Sequence, residues 1–178
     1  MEKARLEELY DKARIKLKDS LGLKNIMEVP RVSKVVLNAG VKGADSKVLK
    51  DIEKTFTLIA GQKPIRTRAR KSIAGFKLRE GMVVGAKVTL RRRMMYEFLD
   101  RLIGFTLPKV RDFQGVPPRF DKSGNYNLGI KEWSVFPELD KEVREKAHGL
   151  NITIHTTARN AQEALALLKE LGMPFKEA

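Results

Sequence analysis

Side chains that commonly perform catalysis or hold metals are scarce in this sequence. It has no cysteine, and its two histidines, His148 and His155, stand seven positions apart with no further ligand cluster at metal-site spacing. The motifs GxSxG, HExxH and GxGxxG do not occur, and residues 40–47 (GVKGADSK) lack the GxxxxGK[ST] order that cradles a triphosphate. The sequence therefore predicts no enzymatic activity, no cofactor and no metal.

Cationic side chains, in contrast, are abundant and concentrated in one part of the sequence. The net charge is +14, and residues 63–93, which we call the basic window, hold eleven cations against one anion, Glu80. Residues 132–178, in contrast, sum to −2. Such a field attracts polyanions, and the arginine fork suits bidentate contact with phosphate, so RNA fits the window best. Its cations are Lys63, Arg66, Arg68, Arg70, Lys71, Lys77, Arg79, Lys87, Arg91, Arg92 and Arg93.

Hydrophobic periodicity and turn residues indicate the elements that position this window. Helices are predicted over residues 2–21, 46–61, 94–103, 139–147 and 159–171. Strands are predicted over residues 32–38, 64–67, 82–90, 105–110, 126–130, 133–136 and 150–156. Because strands alternate with helices and neither a repeat nor a linker interrupts them, we expect a single α+β domain over residues 1–178, with an arrangement in two lobes as the alternative.

Two loops interrupt this pattern. Residues 68–81, within the basic window, contain glycines but no sustained alternation, so a long basic loop between paired strands is predicted. Residues 112–125 are dense in Gly, Pro, Asp and Ser, which predicts a surface loop whose length suggests a functional role. Polar and aromatic residues near the window could recognise RNA bases or shape beside its cations, namely Asn38, Gln62, Phe76 and Thr89.

The positive charge is also compatible with a merely soluble basic face or with a membrane-binding patch. No amphipathic helix carries these cations, which disfavours a membrane. No apolar run approaches the ~20 residues that span a bilayer, and residues 1–10 lack the apolar core of a signal peptide. A cytoplasmic protein is expected, and a stand-alone RNA chaperone or translation regulator using the same face is the alternative function.

Longer motifs resemble one known family. Residues 58–72 (LIAGQKPIRTRARKS) are similar to the motif of the bacterial 5S-rRNA-binding proteins of the large ribosomal subunit, the L-five family. The resemblance extends over nearly the whole chain through VVLNAG (35–40), SIAGFKLREG (72–81), GAKVTL (85–90), LPKVRDFQG (107–115), GNYNLGI (124–130) and GMPFK (172–176). It implies a mainly antiparallel sheet with helices packed on one face and the long basic loop between two strands.

The same resemblance implies a structural constituent of the large ribosomal subunit that attaches 5S rRNA in the central protuberance. Its implied partners are 5S rRNA, 23S rRNA, P-site tRNA, a small-subunit head protein and neighbouring large-subunit proteins, without membrane contact or homo-oligomers. The residues expected to bind 5S rRNA are Asn38, Gln62, Lys63, Arg66, Arg68, Arg70, Phe76, Thr89, Arg91 and Arg92. Those expected to contact tRNA are Lys71, Ser72, Gly75, Lys77 and Arg79.

An inter-subunit bridge would draw on two further groups of residues. The first group is Arg111, just before the surface loop over residues 112–125, with Asp112 and Gln114 in that loop. The second is Glu138 and Glu142, in an acidic stretch whose negative charge suits a basic partner. Two sites depart from the expected family pattern, with Trp133 in place of glutamine and His148-Gly149-Leu150 in place of Arg-Gly-Met. Both lie outside the RNA-binding half, so they bear on local packing and on the bridge.

Overall fold

The computed structural model describes residues 4–41, 46–139 and 148–176. Within them lie four α-helices: α1 (Arg5–Ser20), α2 (Ser46–Ala60), α3 (Arg92–Arg101) and α4 (Ala161–Glu170). The strands are β1 (Val32–Gly40), β2 (Ile65–Arg68), β3 (Val83–Leu90), β4 (Tyr126–Ile130) and β5 (Leu150–Thr156). These elements confirm the predicted α+β class.

The strands form an open antiparallel sheet in the order β2-β3-β1-β5-β4. The longer strands alternate between buried and more exposed residues, so the described residues cover one face of the sheet more fully than the other. Leu37 and Ala39 of β1 and Val88 of β3 are buried, whereas the neighbouring Asn38 and Lys87 are exposed. We call the side that carries Asn38 and Lys87 the open face. Successive strand residues point to opposite faces, so this alternation fixes the phase of each strand.

The chain divides into two compact units. The first comprises Met1–Val35, Leu90–Leu128 and Thr153–Ala178, and the second comprises Val36–Thr89 and Gly129–Ile152. A single domain over the whole chain stays a prediction.

The first unit is organised around α1 and its neighbours α3 and α4. One stripe of α1 is buried, and the hydroxyl of its Tyr10 donates a hydrogen bond to the Pro30 carbonyl at 3.2 Å. The rings of Phe120, Tyr126 and Phe175 form a second cluster, with centroids 5.1 to 5.9 Å apart. Burying these apolar faces is the main stabilising contribution.

The second unit contains α2, whose residues Leu49, Ile52, Phe56 and Ile59 are buried at helical spacing. Trp133 is completely buried, and the His148 ring lies edge-on to it with centroids 5.0 Å apart. The two departures from the expected family pattern are therefore packing partners. A large indole fills core space here that a glutamine side chain could not fill without burying its amide.

Two predicted strands are wrong. Residues 105–110 are not a strand, because α3 continues into a π-helical turn (Leu102–Thr106) and a 3-10 turn (Leu107–Lys109) that bury Leu102, Thr106 and Leu107. Residues 133–136 form a 3-10 turn (Trp133–Val135) that places the indole in the core. The acidic helix predicted over residues 139–147 lies, beyond Leu139, outside the described residues.

Candidate nucleic-acid interface

The open face of the second unit presents polar side chains on two adjacent strands. Asn38 is exposed between the buried Leu37 and Ala39 of β1, and Thr89 is half-buried between Val88 and Leu90 at the end of β3. Lys87, two residues before Thr89, shares its face. An amide, a hydroxyl and an ammonium thus point away from the core. This is the combination that reads base edges while neutralising phosphate.

Strand β2 extends this surface to the edge of the sheet. Its register with β3 places Ile65 opposite Lys87 and Thr67 opposite Gly85. Residues directly opposite each other on paired strands share a face, so Ile65, which is 64% exposed, lies beside the Lys87 side chain. An exposed apolar side chain beside an ammonium group offers a nucleotide both ribose or base contact and phosphate neutralisation.

Gly85 holds three strands close together. A Cβ at this position would lie 2.3 Å from the Ala39 carbonyl oxygen of β1 and 3.2 Å from the Thr67 hydroxyl oxygen of β2. Only glycine allows the backbones to approach this closely. The spacing between the side chains of the open face therefore depends on Gly85.

Arg66 makes an ion pair with a carboxylate, as Arg93 does with Glu97 in the first unit. Arg66 pairs with Ala86, whose side chain is buried, so it points to the covered side, where its guanidinium makes a bidentate ion pair with Glu53 of α2. The Nη2–Oε2 distance is 3.1 Å. The hydrogen bond from Arg66 is the main cause that lowers the pKa of the Glu53 carboxyl below its ordinary value. In the free protein, the Arg66 side chain thus ties β2 to α2.

The long basic loop is a narrow hydrogen-bonded hairpin. Ile73 and Leu78 exchange two backbone hydrogen bonds of 3.0 and 3.1 Å, and a 3-10 turn (Ala74–Phe76) lies between them. Lys77 closes the turn with a left-handed φ of 52°. The Ser72 hydroxyl accepts a hydrogen bond from the Glu80 amide at 3.0 Å. These bonds hold the tip outward, and Phe76 at that tip is 75% exposed.

The remaining predicted residues of the second unit are all exposed along β2, the hairpin and the preceding turn. They are Gln62, Lys63, Arg68, Arg70, Lys71, Gly75 and Arg79. Arg91 and Arg92 are exposed as well, but they belong to the first unit, at the start of α3. Ile65, Thr67 and Lys87 lie within the basic window, but the sequence did not place them among the residues expected to bind 5S rRNA. The alternation of buried residues in β3 was a signal that could have identified Lys87.

The residues predicted for a bridge fall in different units. Arg111, Asp112 and Gln114 are exposed in a turn of the first unit, where Asp112 has a left-handed φ of 53°. Glu138 belongs to the second unit and is half-buried, and Glu142 lies outside the described residues. The contribution of these five residues to a bridge stays a prediction.

Across residues 4–41, 46–139 and 148–176, no group of three or more His, Cys, Asp or Glu side chains could hold a metal ion. None of the helices in these ranges combines the length and the apolarity that crossing a bilayer requires.

Comparison with known proteins assigns the chain to a family. Residues 25–79 match the family described as ribosomal protein L5, and residues 83–175 match the model for the C-terminus of the same ribosomal family. The large ribosomal subunit protein uL5 of Psychrobacter sp. (strain PRwf-1) is 53% identical over 177 residues, covering 97% of this chain and 99% of that protein. The proteins of the same name from Geotalea daltonii and Syntrophomonas wolfei are also 53% identical over 177 residues, with the same coverage. The chain belongs to the ribosomal protein L5 family.

Proposed function

We propose that this protein is a structural, non-enzymatic constituent of the large ribosomal subunit in the bacterial cytoplasm, and that it binds 5S rRNA and helps attach it in the central protuberance. Membership of the large ribosomal subunit is inferred from the family. The observation that supports 5S rRNA binding is the open face of the second unit, where Asn38, Lys87 and Thr89 project from adjacent strands.

In this proposal the second unit binds RNA through two kinds of contact, one to phosphates and one to base edges or 2′-hydroxyls. Exposed cations at Lys63, Arg68, Arg70 and Lys87 neutralise phosphates and fix the register of the RNA. Asn38, Gln62 and Thr89 donate to and accept from base edges or 2′-hydroxyls, which charge alone cannot distinguish. Arg66 contributes indirectly, by holding β2 against α2 through Glu53.

The hairpin tip is assigned to the second RNA, the P-site tRNA. Its backbone hydrogen bonds present Lys71, Ser72, Lys77 and Arg79 on a narrow projection, and Gly75 leaves its tip without a side chain at that point. A narrow cationic projection can contact a phosphate backbone without requiring a complementary surface around it. Phe76, exposed at the same tip, is kept among the 5S rRNA contacts as a platform on which a base can stack.

The remaining partners in the proposal are 23S rRNA, neighbouring large-subunit proteins and a small-subunit head protein. For the last of these, the exposed turn with Arg111, Asp112 and Gln114 is the described surface that supports the assignment.

Salt titration of 5S rRNA binding tests the central claim. If about five cations contact phosphates, log Kd should change with log salt with a slope of about 5, and affinity should fall roughly a thousandfold between about 50 and 200 mM. Asn38→Ala and Thr89→Ala should weaken binding with little change in slope, because neither side chain is charged. Lys169→Ala, which removes an exposed cation from α4, is the control expected to leave affinity and slope unchanged.

A second arm separates the two RNAs. Arg79→Ala should leave the affinity for isolated 5S rRNA close to that of the wild type but weaken P-site tRNA binding on reconstituted ribosomes. Equal loss of 5S rRNA binding in Asn38→Ala, Thr89→Ala and Arg79→Ala would refute this division of roles. Equal affinity for 5S rRNA and for unrelated structured RNAs would favour an RNA chaperone instead.

A further inference from the structure

His155 is a titratable group of the first unit that the proposed function does not use. It lies near the end of β5, where Ile152 and Ile154 are buried while Thr153 and His155 are half-buried, so its side chain is on the same side as Thr153. Its backbone carbonyl accepts a hydrogen bond from the Ser33 hydroxyl at 3.2 Å, which ties this end of β5 to the neighbouring strand β1.

Lys34 and Arg91 lie on the same face of the sheet as His155, because each of the three alternates with buried residues of its strand. Strand β1 lies between β3 and β5, and its start lies beside the ends of these two antiparallel neighbours, so the three side chains come from the same end of the sheet. Burial is the main cause that lowers the pKa of His155 below its ordinary 6.5, and the charge of Lys34 on β1 lowers this pKa further. Asp121, in the loop before β4, opposes these effects, and Arg91, just after β3, adds to the lowering. These effects favour the neutral form of the imidazole over the protonated form.

The nearby carboxylate is already engaged within its own turn. Asp121 Oδ1 accepts hydrogen bonds from the backbone amides of Ser123 at 3.0 Å and Asn125 at 2.6 Å, and its Oδ2 accepts from the side-chain amide of Asn125 at 2.8 Å. These bonds also lower the pKa of Asp121, with the Asn125 side chain as the largest cause. Asp121 keeps its negative charge, so an incoming phosphate would meet two cations, Lys34 and Arg91, against one anion beside the imidazole.

An anion bound among these three side chains would favour the protonated form of the imidazole over the neutral form. A phosphodiester meets two fixed cations, and its negative charge favours the protonated imidazole, which then has two N–H donors in place of one. We infer that Lys34, Arg91 and His155 form an additional phosphate contact for RNA, and that the imidazole takes up a proton from solvent when the phosphate binds. This inference rests on the proposed RNA-binding function and adds to it a pH dependence located in the first unit.

Binding of a 5S rRNA transcript at constant ionic strength, followed by fluorescence anisotropy from about pH 5.5 to pH 8, tests the inference. A rise of one pKa unit on binding makes the wild-type affinity about tenfold higher at the acidic end. His155→Gln keeps a polar side chain but cannot be protonated, so its affinity should show only the pH dependence of the RNA itself. His148→Gln, which replaces the other histidine of the sequence, is the matched control and should retain the wild-type pH dependence.

The outcomes distinguish this inference from the function on which it rests. If the wild type and His155→Gln bind 5S rRNA with the same pH dependence, the phosphate contact is refuted and RNA binding stands. If neither shows salt-dependent binding to 5S rRNA, the proposed function itself fails. A direct measurement that needs no variant is the NMR titration of the His155 imidazole, whose midpoint should rise on addition of the transcript. An unchanged or lower midpoint would overturn the inference.

Discussion

Gly85→Ala should disturb both the stability of the second unit and its open face. The new Cβ would lie 2.3 Å from the Ala39 carbonyl oxygen, below the 3.0 Å that real Cβ contacts respect, so β1 and β3 must separate locally by roughly 0.7 Å. Overpacking of this kind costs about 1–3 kcal/mol. For a chain of this length, each kcal/mol lowers Tm by about 2–4 °C, so a loss of roughly 2–12 °C is expected. Affinity for 5S rRNA should fall as well, because Asn38 and Thr89 lie on the two displaced strands.

Thermal unfolding followed by circular dichroism measures the stability change. Gly40→Ala is a matched control on the adjacent strand β1, because a Cβ there meets no atom within 4 Å and its φ is not left-handed. This variant should be as stable as the wild type or slightly more so, since alanine reduces the entropy of the unfolded chain. If Gly85→Ala and Gly40→Ala have the same Tm, the close approach of the strands does not limit stability and the reasoning is wrong.

Three further changes test single contacts. The pKa of Glu53 is lowered in the folded protein, so its ion pair with Arg66 stabilises the fold at pH values above the pKa of the unfolded carboxyl and is lost as the pH falls through the folded pKa. Glu53→Gln should therefore unfold at a lower denaturant concentration than the wild type at pH 7. The difference between the two midpoints should narrow as the pH falls through the folded pKa. The Asn160 side chain caps α4 by accepting a hydrogen bond from the Glu163 backbone amide at 2.9 Å, and the Glu163 carboxylate accepts one from the Arg159 backbone amide at 2.8 Å. Asn160→Ala should therefore lower the free energy of unfolding in urea by about 1 kcal/mol. An unchanged urea midpoint would contradict the capping role. Lys77 has a φ of 52°, which a β-branched residue rarely adopts, so Lys77→Val should have a lower Tm than Lys77→Gly, and the reverse order would be inconsistent with a left-handed turn.

Elements with clear end signals were predictable from the sequence, and elements defined by tertiary packing were not. Helix α2 ends next to Gly61, which has the left-handed φ of 65° expected of a helix-terminating glycine. The predicted strand over residues 105–110 failed because its apolar residues serve as the continuation of α3. Leu102, Thr106 and Leu107 are buried, and the Thr106 hydroxyl donates to the Arg101 carbonyl at 3.3 Å. Short apolar runs do not reveal whether they pack as a strand or as a helical turn.

The candidate site shows the same limit on a smaller scale. Counting cations along the chain locates the basic window but cannot assign each cation to a face of the sheet. In β3 the alternation of Ala86, Val88 and Leu90 sets the phase, so Thr89 can be placed on the open face from sequence alone. Strand β2 has only four residues, IRTR, and its phase follows from its register with β3, which the sequence does not contain. This is why the sequence groups Arg66 with the RNA contacts although the structure pairs it with Glu53.

The length of the loop over residues 112–125 suggests function, but much of that length has a structural use in the first unit. The Val116 amide donates to the Pro174 carbonyl at 2.8 Å, and the Val116 carbonyl accepts from the Lys176 amide at 2.9 Å, which fastens the loop to the chain after α4. At its other end, the ring of Phe120 packs against Tyr126 and Phe175.

Between Val116 and the preceding helical turn, a short stretch projects that contains Arg111, Asp112 and Gln114, all exposed. A partner bound through this loop should therefore be sensitive to changes at these three positions and insensitive to the exposed Lys122 at the far end. Arg111, Asp112 and Gln114 therefore stay the residues by which this part of the chain would contribute to the proposed bridge.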